Sequence, residues 1–162
     1  MPRKQPEILT AKNTGRLAPE RRGRVSSGPF WLADPRVAEV VENTLLYGDA
    51  GRGLYSLRAW AIMPNHLHIV LEPLVVLPDI MRWFKGRTAR VANRILGRTG
   101  TAFWQDESYD HWIRSERELD ETIVYVENNP VRAGFVESPQ LWGWSSARFR
   151  ADDEKRSSAP QS

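Results

Sequence analysis

The sequence predicts an α+β domain in which helices surround an antiparallel sheet. Segments with a helical hydrophobic period alternate with strand-like segments, in the order helix, two strands, helix, helix. The two strands are separated only by Met63-Pro64-Asn65, so they are expected to pair as a hairpin. The chain has 162 residues, of which 41% are apolar and 27% are charged, and this suits one globular domain.

The first predicted helix begins at Asp34-Pro35. Aspartate caps helix N-termini, and proline is favoured at the first helical position. Gly48 is expected to end this helix near Tyr47. The positions that would share its inner face are Val37, Val40, Val41, Thr44 and Leu45.

The two strands are predicted over residues 54–62 and 66–72, because side chains of different character alternate there. In the first strand one face would carry Tyr55, Leu57, Ala59 and Ala61, and the other Ser56, Arg58 and Trp60. In the second strand one face would carry Leu67, Ile69 and Leu71, and the other His66, His68 and Val70.

The second half of the chain predicts two further helices. The longer one runs from about Pro78 to Leu96, and an aromatic, irregular segment follows over residues 103–114. Ser115 and Glu118 match a capping box for the other helix, which Pro130 would stop. Residues 1–29 are predicted to be an irregular basic segment and residues 150–162 a disordered polar tail, which leaves residues 30–149 as the folded domain.

Composition excludes several classes of protein. The chain has no cysteine, so disulfides, thiolate metal ligands and cysteine nucleophiles are ruled out. No apolar run reaches the roughly 18 residues of a membrane-spanning helix. Residues 1–6 lack the apolar stretch of a secretory signal. A cytoplasmic protein without a membrane partner is therefore expected.

Basic residues are concentrated in two segments. Residues 1–27 carry seven basic side chains against two acidic ones, and residues 82–98 carry six basic side chains and no acidic one. Such clusters favour a polyanionic partner, most simply nucleic acid. The alternative interpretation is a solvated helix face and a disordered tail.

The tripeptide His66-Leu67-His68 is the first candidate for chemistry. Alternate residues of a strand point the same way, so both imidazoles would leave one face, as in half of a divalent-metal site. The alternative is a pair of partly buried histidines that bond to their neighbours. A second candidate lies at a helix end, where Tyr125 and Asn129 are four residues apart and can share a face. Alone, these two would be an ordinary helix tyrosine and a helix-stop signal.

Several segments together resemble the single-tyrosine (HUH) transposases, and in particular their REP-associated branch. The resemblance is collinear over roughly residues 30–148. The segments that carry it are residues 60–73 around His66-Leu67-His68, Phe103-Trp104-Gln105, residues 110–114 (Asp-His-Trp-Ile-Arg), residues 125–134 (Tyr-Val-Glu-Asn-Asn-Pro-Val-Arg-Ala-Gly) and residues 142–146 (Trp-Gly-Trp-Ser-Ser).

The resemblance implies a ferredoxin-like antiparallel sheet with helices packed on one face. It implies that His66 and His68 bind Mg²⁺ or Mn²⁺ with Asn129 as a third ligand. Tyr125 would attack single-stranded DNA in hairpin-forming repeats and leave a 5′-phosphotyrosine and a 3′-OH. A monomer or homodimer is expected. The residues expected to contact DNA, through phosphate or by stacking, are Arg82, Lys85, Arg87, Arg114, Arg132, Trp83 and Trp112.

The chain departs from the resembled family at its N-terminus. Members of that family open with an apolar strand beside the histidine strand, whereas residues 1–29 offer only the short patch Glu7-Ile8-Leu9-Thr10. The first strand is therefore expected to be missing or incomplete, as in a truncated, wrongly started or decayed copy, which would leave the histidine strand as an exposed edge.

Two other functions stay open, and so does the identity of the nucleophile. A catalytically decayed copy would bind DNA hairpins without cutting them. A hydrolytic metallonuclease would use water instead of Tyr125, with Glu72 as the carboxylate on the histidine face. Tyr109 is the next candidate nucleophile after Tyr125.

Overall fold

The computed structural model describes residues 6–12, 29–106 and 109–150. One antiparallel sheet contains four strands, β1 (Glu7–Lys12), β2 (Tyr55–Ile62), β3 (His66–Pro73) and β4 (Tyr109–Trp112), in the order β2-β3-β1-β4. The helices are α1 (Pro35–Leu46), α2 (Leu77–Ile95), α3 (Glu116–Glu127) and the short α4 (Asn129–Arg132). Up to β4 the order βαββαβ is ferredoxin-like, as expected. In these ranges no helix is long and apolar enough to cross a membrane.

The predicted helix starts are confirmed. The Asp34 side chain accepts a hydrogen bond from the backbone N–H of Arg36 (3.0 Å), and Ser115 Oγ accepts one from the N–H of Glu118 (3.1 Å). These caps satisfy backbone donors that the first turns of α1 and α3 leave unpaired. Pro130 does not simply stop α3, because α3 ends at Glu127 and Pro130 lies in the first turn of α4.

The prediction that the first strand is missing is wrong. Residues 7–12, expected to be irregular, form β1, which lies between β3 and β4. Leu9 is opposite Ile69 on one side and Asp110 on the other, and it is buried in the main core. The histidine strand is therefore an interior strand. The patch Glu7-Ile8-Leu9-Thr10 is too short for its sequence to show the alternation of a strand. The remainder of the predicted N-terminal segment and residues 151–162 of the predicted tail lie outside the described residues.

The helices cover both faces of the sheet rather than one. α1 and α2 pack on the face that carries Leu67, Ile69 and Leu71, and this is the main core. α3 packs on the opposite face through Val126, with Ala59, Ala61, Val70 and Ile113. Since His66 and His68 alternate with the leucines of β3, they belong to the α3 face.

A bulge in β2 reverses its predicted alternation. The register shifts at Arg58, because Leu57 is opposite Leu71 whereas Ala59 is opposite Val70. After the bulge, Trp60 and Ile62 join the main core with Tyr55, and Ala59 and Ala61 face α3. The prediction that Ala59 and Ala61 share a face with Tyr55 and Leu57 is therefore wrong. As a result, small alanine side chains lie beside His68, which is opposite Ala61.

The aromatic segment over residues 103–114 is not wholly irregular. Tyr109–Trp112 forms β4 at one edge of the sheet, where His111 is opposite Ile8. Phe103 and Trp104 are buried in the main core, and Trp104 Nε1 donates to Thr88 Oγ1 on α2 (2.8 Å). This segment therefore ties α2 to the sheet.

The C-terminal residues 142–150 cover the outer edge of β2. The N–H of Ile62 donates to the carbonyl of Trp144 (2.8 Å), and the N–H of Ser146 donates to the carbonyl of Trp60 (3.0 Å). Arg148 binds the buried carboxylate of Glu42 on α1. β2, the edge strand that pairs with the histidine strand, is therefore covered along its outer side.

Candidate active site

His66 and His68 lie side by side on β3, as the spacing predicts. Their ring centres are 4.9 Å apart and the ring planes are nearly perpendicular, at 84°. Both side chains are buried, with 5% and 9% of their residue surface exposed. An interior strand of a paired sheet fixes the direction in which both rings point.

Asn65 orients the first histidine and was not predicted as a site residue. Asn65 is buried in the β2–β3 turn, and its Oδ1 accepts a hydrogen bond from His66 Nδ1 (2.8 Å). In the neutral tautomer that carries its proton on Nδ1, His66 donates to this amide oxygen and keeps a lone pair on Nε2. In the sequence, Met63-Pro64-Asn65 indicated only a turn, so the second role of Asn65 could not be inferred.

α3 brings Tyr125 to the histidines. Val126, the next residue, is fully buried against Ala59, Ala61 and Val70, so it anchors α3 on the histidine face. The ring centre of Tyr125 lies 6.3 Å from that of His68, and Tyr125 is 45% exposed. A phenol that is close to the histidines and open to solvent can meet a substrate that binds from outside.

Arg132 and Asn129 lie next to Tyr125. The guanidinium carbon of Arg132 is 4.9 Å from the centre of the Tyr125 ring, which is a cation–π contact. Asn129 Nδ2 donates to the main-chain carbonyl of Tyr125 (3.0 Å). The link from α3 into α4 therefore places a permanent positive charge over the phenol ring and an amide on the main-chain carbonyl of Tyr125.

The separation of the two imidazole rings is one that a shared divalent cation would also produce. Metal–nitrogen bonds of about 2.1 Å at neighbouring coordination positions place two ring centres about 5 Å apart, close to the 4.9 Å observed. The hydrogen bond from His66 to Asn65 is the kind of outer contact that orients metal-binding histidines. Among the described residues, His, Asp and Glu side chains form no group of three that could hold an ion. Within the described part of the chain, a third ligand would have to be of another kind, such as an amide, water or phosphate oxygen.

The carboxylate that a hydrolytic site would require is engaged elsewhere. Glu72 Oε2 accepts a hydrogen bond from Arg58 at the β2 bulge (3.0 Å). This ion pair lies at the far end of β3 from His66, so the structure gives no support to Glu72 as a metal ligand.

The basic residues predicted on α2 are not part of the histidine–tyrosine site. α2 belongs to the main core, across the sheet from α3. Lys85 Nζ donates to the carbonyl of Gln105 (2.7 Å), and burial lowers the pKa of its ammonium group. Arg82 is exposed and pairs with Asp79, whereas Trp83 packs against the main core and Arg87 lies over a tyrosine ring.

Trp112 and Arg114 lie at the β4 edge of the sheet. Trp112 is exposed and opposite Glu7, so β1 separates it from β3. The backbone N–H of Arg114 donates to Glu118 Oε2 (2.8 Å) at the start of α3, and the Arg114 side chain is exposed. Of the predicted DNA-contacting residues, Arg132 is the one with a recorded contact to Tyr125.

The chain is similar to known proteins in both sequence and structure. The family described as "Transposase IS200 like" matches residues 38–129. A REP-associated tyrosine transposase of Escherichia coli is 25% identical over 93 residues, which are 57% of this chain and 54% of that protein. A relative from Haemophilus influenzae is 24% identical in an alignment 103 residues long, which covers 54% of this chain and 56% of the relative. The chain spans about half the length of these relatives.

The fold is shared with a solved structure. A REP-associated tyrosine transposase bound to a REP hairpin superposes with a TM-score of 0.64 at 18% sequence identity. The match covers 98% of this chain and 84% of that chain. At this identity, the likeness establishes the common fold of the two proteins.

Proposed function

This chain belongs to the IS200-like transposase family, and on that premise we propose that it cuts and rejoins single-stranded DNA through a covalent bond to Tyr125. The single observation that carries the proposal is the approach of Tyr125 on α3 to His68 on β3, with 6.3 Å between the ring centres. A phenol and an imidazole pair from distant parts of the chain can then act on one phosphate.

The reaction exchanges one phosphodiester for another. Tyr125 loses its phenolic proton and its Oη attacks the phosphorus, a new P–O bond forms to tyrosine, and the bond from phosphorus to the 3′-oxygen breaks. The 3′-oxygen leaves and takes up a proton, while the 5′-phosphate stays on Tyr125. A 3′-OH of another strand then reverses the step, so no ATP is required.

The residues around Tyr125 have distinct roles in this proposal. His66 and His68 would hold Mg²⁺ or Mn²⁺, with Asn129 as a third ligand. Imidazole ligands favour Mn²⁺ and abundance favours Mg²⁺. A bound cation would offset the charge that develops on the phosphate oxygens. Arg132, which lies over the Tyr125 ring, would hold the incoming phosphate.

The proposed substrate is a hairpin-forming single strand. The structural neighbour is a protein bound to a REP hairpin, and transposition requires a DNA partner. A protein with this substrate would work at the nucleoid in the cytoplasm, as a monomer or a homodimer.

The test is covalent capture of labelled DNA. The protein is incubated with end-labelled hairpin DNA in Mn²⁺, Mg²⁺ or EDTA and separated on a denaturing gel. We expect a metal-dependent protein–DNA adduct that Tyr125→Phe abolishes. Tyr109→Phe is the matched control, and we expect it to retain the adduct, because β1 separates β4 from the histidine strand.

The same gel distinguishes the other functions. Salt-sensitive binding without an adduct in any metal would indicate a decayed hairpin-binding protein. Release of a 5′-phosphate that is not attached to protein would indicate hydrolysis by water. An adduct that survives Tyr125→Phe would contradict the assignment of the nucleophile.

A further inference from the structure

A second cluster of aromatic and basic side chains lies on the α1–α2 side of the sheet, across from Tyr125. Arg87 Cζ is 5.5 Å from the centre of the Tyr47 ring, and Arg52 Cζ is 5.5 Å from that of Trp83. The Tyr47 and Trp83 ring centres are 6.4 Å apart, with the planes tilted by 41°. These four planar groups form a continuous series, here called the planar row: Arg52, Trp83, Tyr47 and Arg87.

Two glycines lie directly against the aromatic rings of the planar row. Tyr47 begins a single π-helical turn, Tyr47–Gly51, at the end of α1. A Cβ atom at Gly51 would overlap the Tyr47 ring, and one at Gly48 would lie 2.9 Å from Trp83 Cζ3. Both rings therefore rest on backbone, which restricts their motion before any ligand binds. Such π-turns are rare and occur frequently at functional sites.

The planar row is accessible and positively charged. Tyr47 is 48% exposed, Arg52 and Arg87 are exposed, and Trp83 is partly buried. The row lies along the start of the segment 82–98, which carries six basic side chains and no acidic one. An aromatic group that served packing alone would be covered, whereas about half of Tyr47 stays exposed in a row that ends in two exposed guanidinium groups, which can attract a negatively charged ligand.

We infer that the planar row is a stacking site for unpaired nucleotides of a DNA strand. The inference rests on the proposed function and adds to it a second contact with the substrate. Bases stack on tyrosine, tryptophan and guanidinium planes, and arginine can also bind the adjoining phosphate. Because the row lies across the sheet from Tyr125, it would hold a strand that flanks the phosphate being cut.

The test measures binding separately from cutting. Fluorescein-labelled oligo(dT) is titrated by anisotropy, without metal, in a Tyr125→Phe background and at several salt concentrations. We expect Tyr47→Leu to weaken binding about tenfold without changing the salt dependence, because stacking is lost and charge is kept. Gly51→Ala, which displaces the Tyr47 ring, should weaken binding similarly.

A charge-matched pair sharpens the test. Arg87→Gln and Arg90→Gln each remove one positive charge from the exposed side of α2. Of these two arginines, only Arg87 has a recorded contact with an aromatic ring in the described part of the chain. We expect Arg87→Gln to weaken binding about fivefold more than Arg90→Gln, and Arg87→Lys to restore it only in part. Thermal unfolding followed by circular dichroism identifies any variant that is misfolded.

Several outcomes would overturn the inference. One is equal weakening by Arg87→Gln and Arg90→Gln together with unchanged binding by folded Tyr47→Leu and Gly51→Ala variants. Another is displacement of oligo(dT) by an acidic peptide that supplies the same concentration of negative charge as the oligonucleotide. Failure of the proposed function would instead appear as a missing adduct in the parent protein, while the anisotropy differences would remain.

Discussion

The two faces of the sheet are stabilised in different ways. On the α1–α2 face, large apolar side chains such as Phe84, Phe103 and Leu45 fill one continuous core. On the α3 face the buried apolar group is small, with Ala59 and Ala61 at its centre. Polar contacts supplement this second face, and the candidate active site lies on it. The difference suggests that one face supplies most of the folding free energy, while the other leaves room for chemistry.

The largest effect that would test this comparison is expected from Phe84→Ala. Phe84 is fully buried, so its truncation should reduce the free energy of unfolding by about 3–5 kcal/mol. Val126→Ala, at an equally buried position on the other face, removes two methyl groups and should cost only about 2 kcal/mol. Urea unfolding monitored by tryptophan fluorescence measures both values.

The rate of adduct formation should be reduced more by Val126→Ala than by Phe84→Ala, which is the opposite of their effects on stability. Val126 anchors the turn that carries Tyr125, so Val126→Ala should slow adduct formation even where the protein stays folded. Phe84→Ala, measured under conditions that keep it folded, should form the adduct at close to the parental rate. If the rate of adduct formation in both variants fell only in proportion to their free energy of unfolding, the proposed difference between a stabilising face and a catalytic face would be contradicted.

A buried carboxylate provides the next test. Glu127, at the end of α3, accepts hydrogen bonds from Ser146 Oγ (2.6 Å) and from Arg150 Nε (2.7 Å). Glu127→Ala removes both bonds and should cost about 1.5–3 kcal/mol. Because this contact ties the tyrosine helix to the β2 edge, adduct formation should also slow.

Arg36→Ala is the matched control for the ion pair. Arg36 pairs with Asp34 at the exposed start of α1, far from α3. Solvent screens an exposed pair of this kind, so this variant should be nearly as stable as the parent and fully active. A Glu127→Ala variant that behaved like Arg36→Ala would show that α3 needs no such anchor.

The helix starts, the hairpin and the shared face of His66 and His68 could be predicted from the sequence because their signals are local. Caps at Asp34 and Ser115, turn residues, and alternation around His66 and His68 each act over a few positions. The meeting of Tyr125 with His68 came only from the family resemblance, since no local pattern encodes a contact between a helix and a distant strand.

The predictions that the structure corrects concern features that are decided by tertiary structure. β1 and β4 are short strands that tertiary pairing stabilises, so their own sequences show little alternation. The β2 bulge at Arg58 adds one residue and reverses the faces of everything after it. Placing α3 on the histidine face depends on which side of the sheet remains uncovered, and that is a property of the whole fold.

Asn65 allows a finer test of the histidine face. Asn65→Ala removes the acceptor that fixes His66, so Mn²⁺ affinity should fall about 10- to 100-fold. Asn65→Asp keeps an acceptor oxygen and should retain most of the affinity. Isothermal titration calorimetry measures both. Equal Mn²⁺ binding by the parent and Asn65→Ala would show that His66 needs no orienting partner.

The smallest expected effect is a pH dependence that belongs to the α3 face. Glu118 accepts hydrogen bonds from the backbone N–H of Arg114 (2.8 Å) and from His111 Nε2 (2.9 Å), and these hold the pKa of its carboxyl group below the usual 4.5. Since the unfolded state then binds protons more readily, the carboxylate stabilises the fold above about pH 4.5 and this contribution fades as the pH falls further.

Glu118→Gln should therefore flatten the acid limb of the stability profile. The urea midpoint of the parent should drop between about pH 6 and pH 3 by more than that of the variant. Ser115→Ala removes the neighbouring helix cap without removing a titrating group, so it should lower the midpoint by a similar amount at both pH values. If Glu118→Gln kept the parent's full acid sensitivity, the contact between β4 and α3 would not depend on this charge. Of the two α3 carboxylates tested, Glu118 and Glu127, only Glu127 would then stabilise the histidine face through its charge.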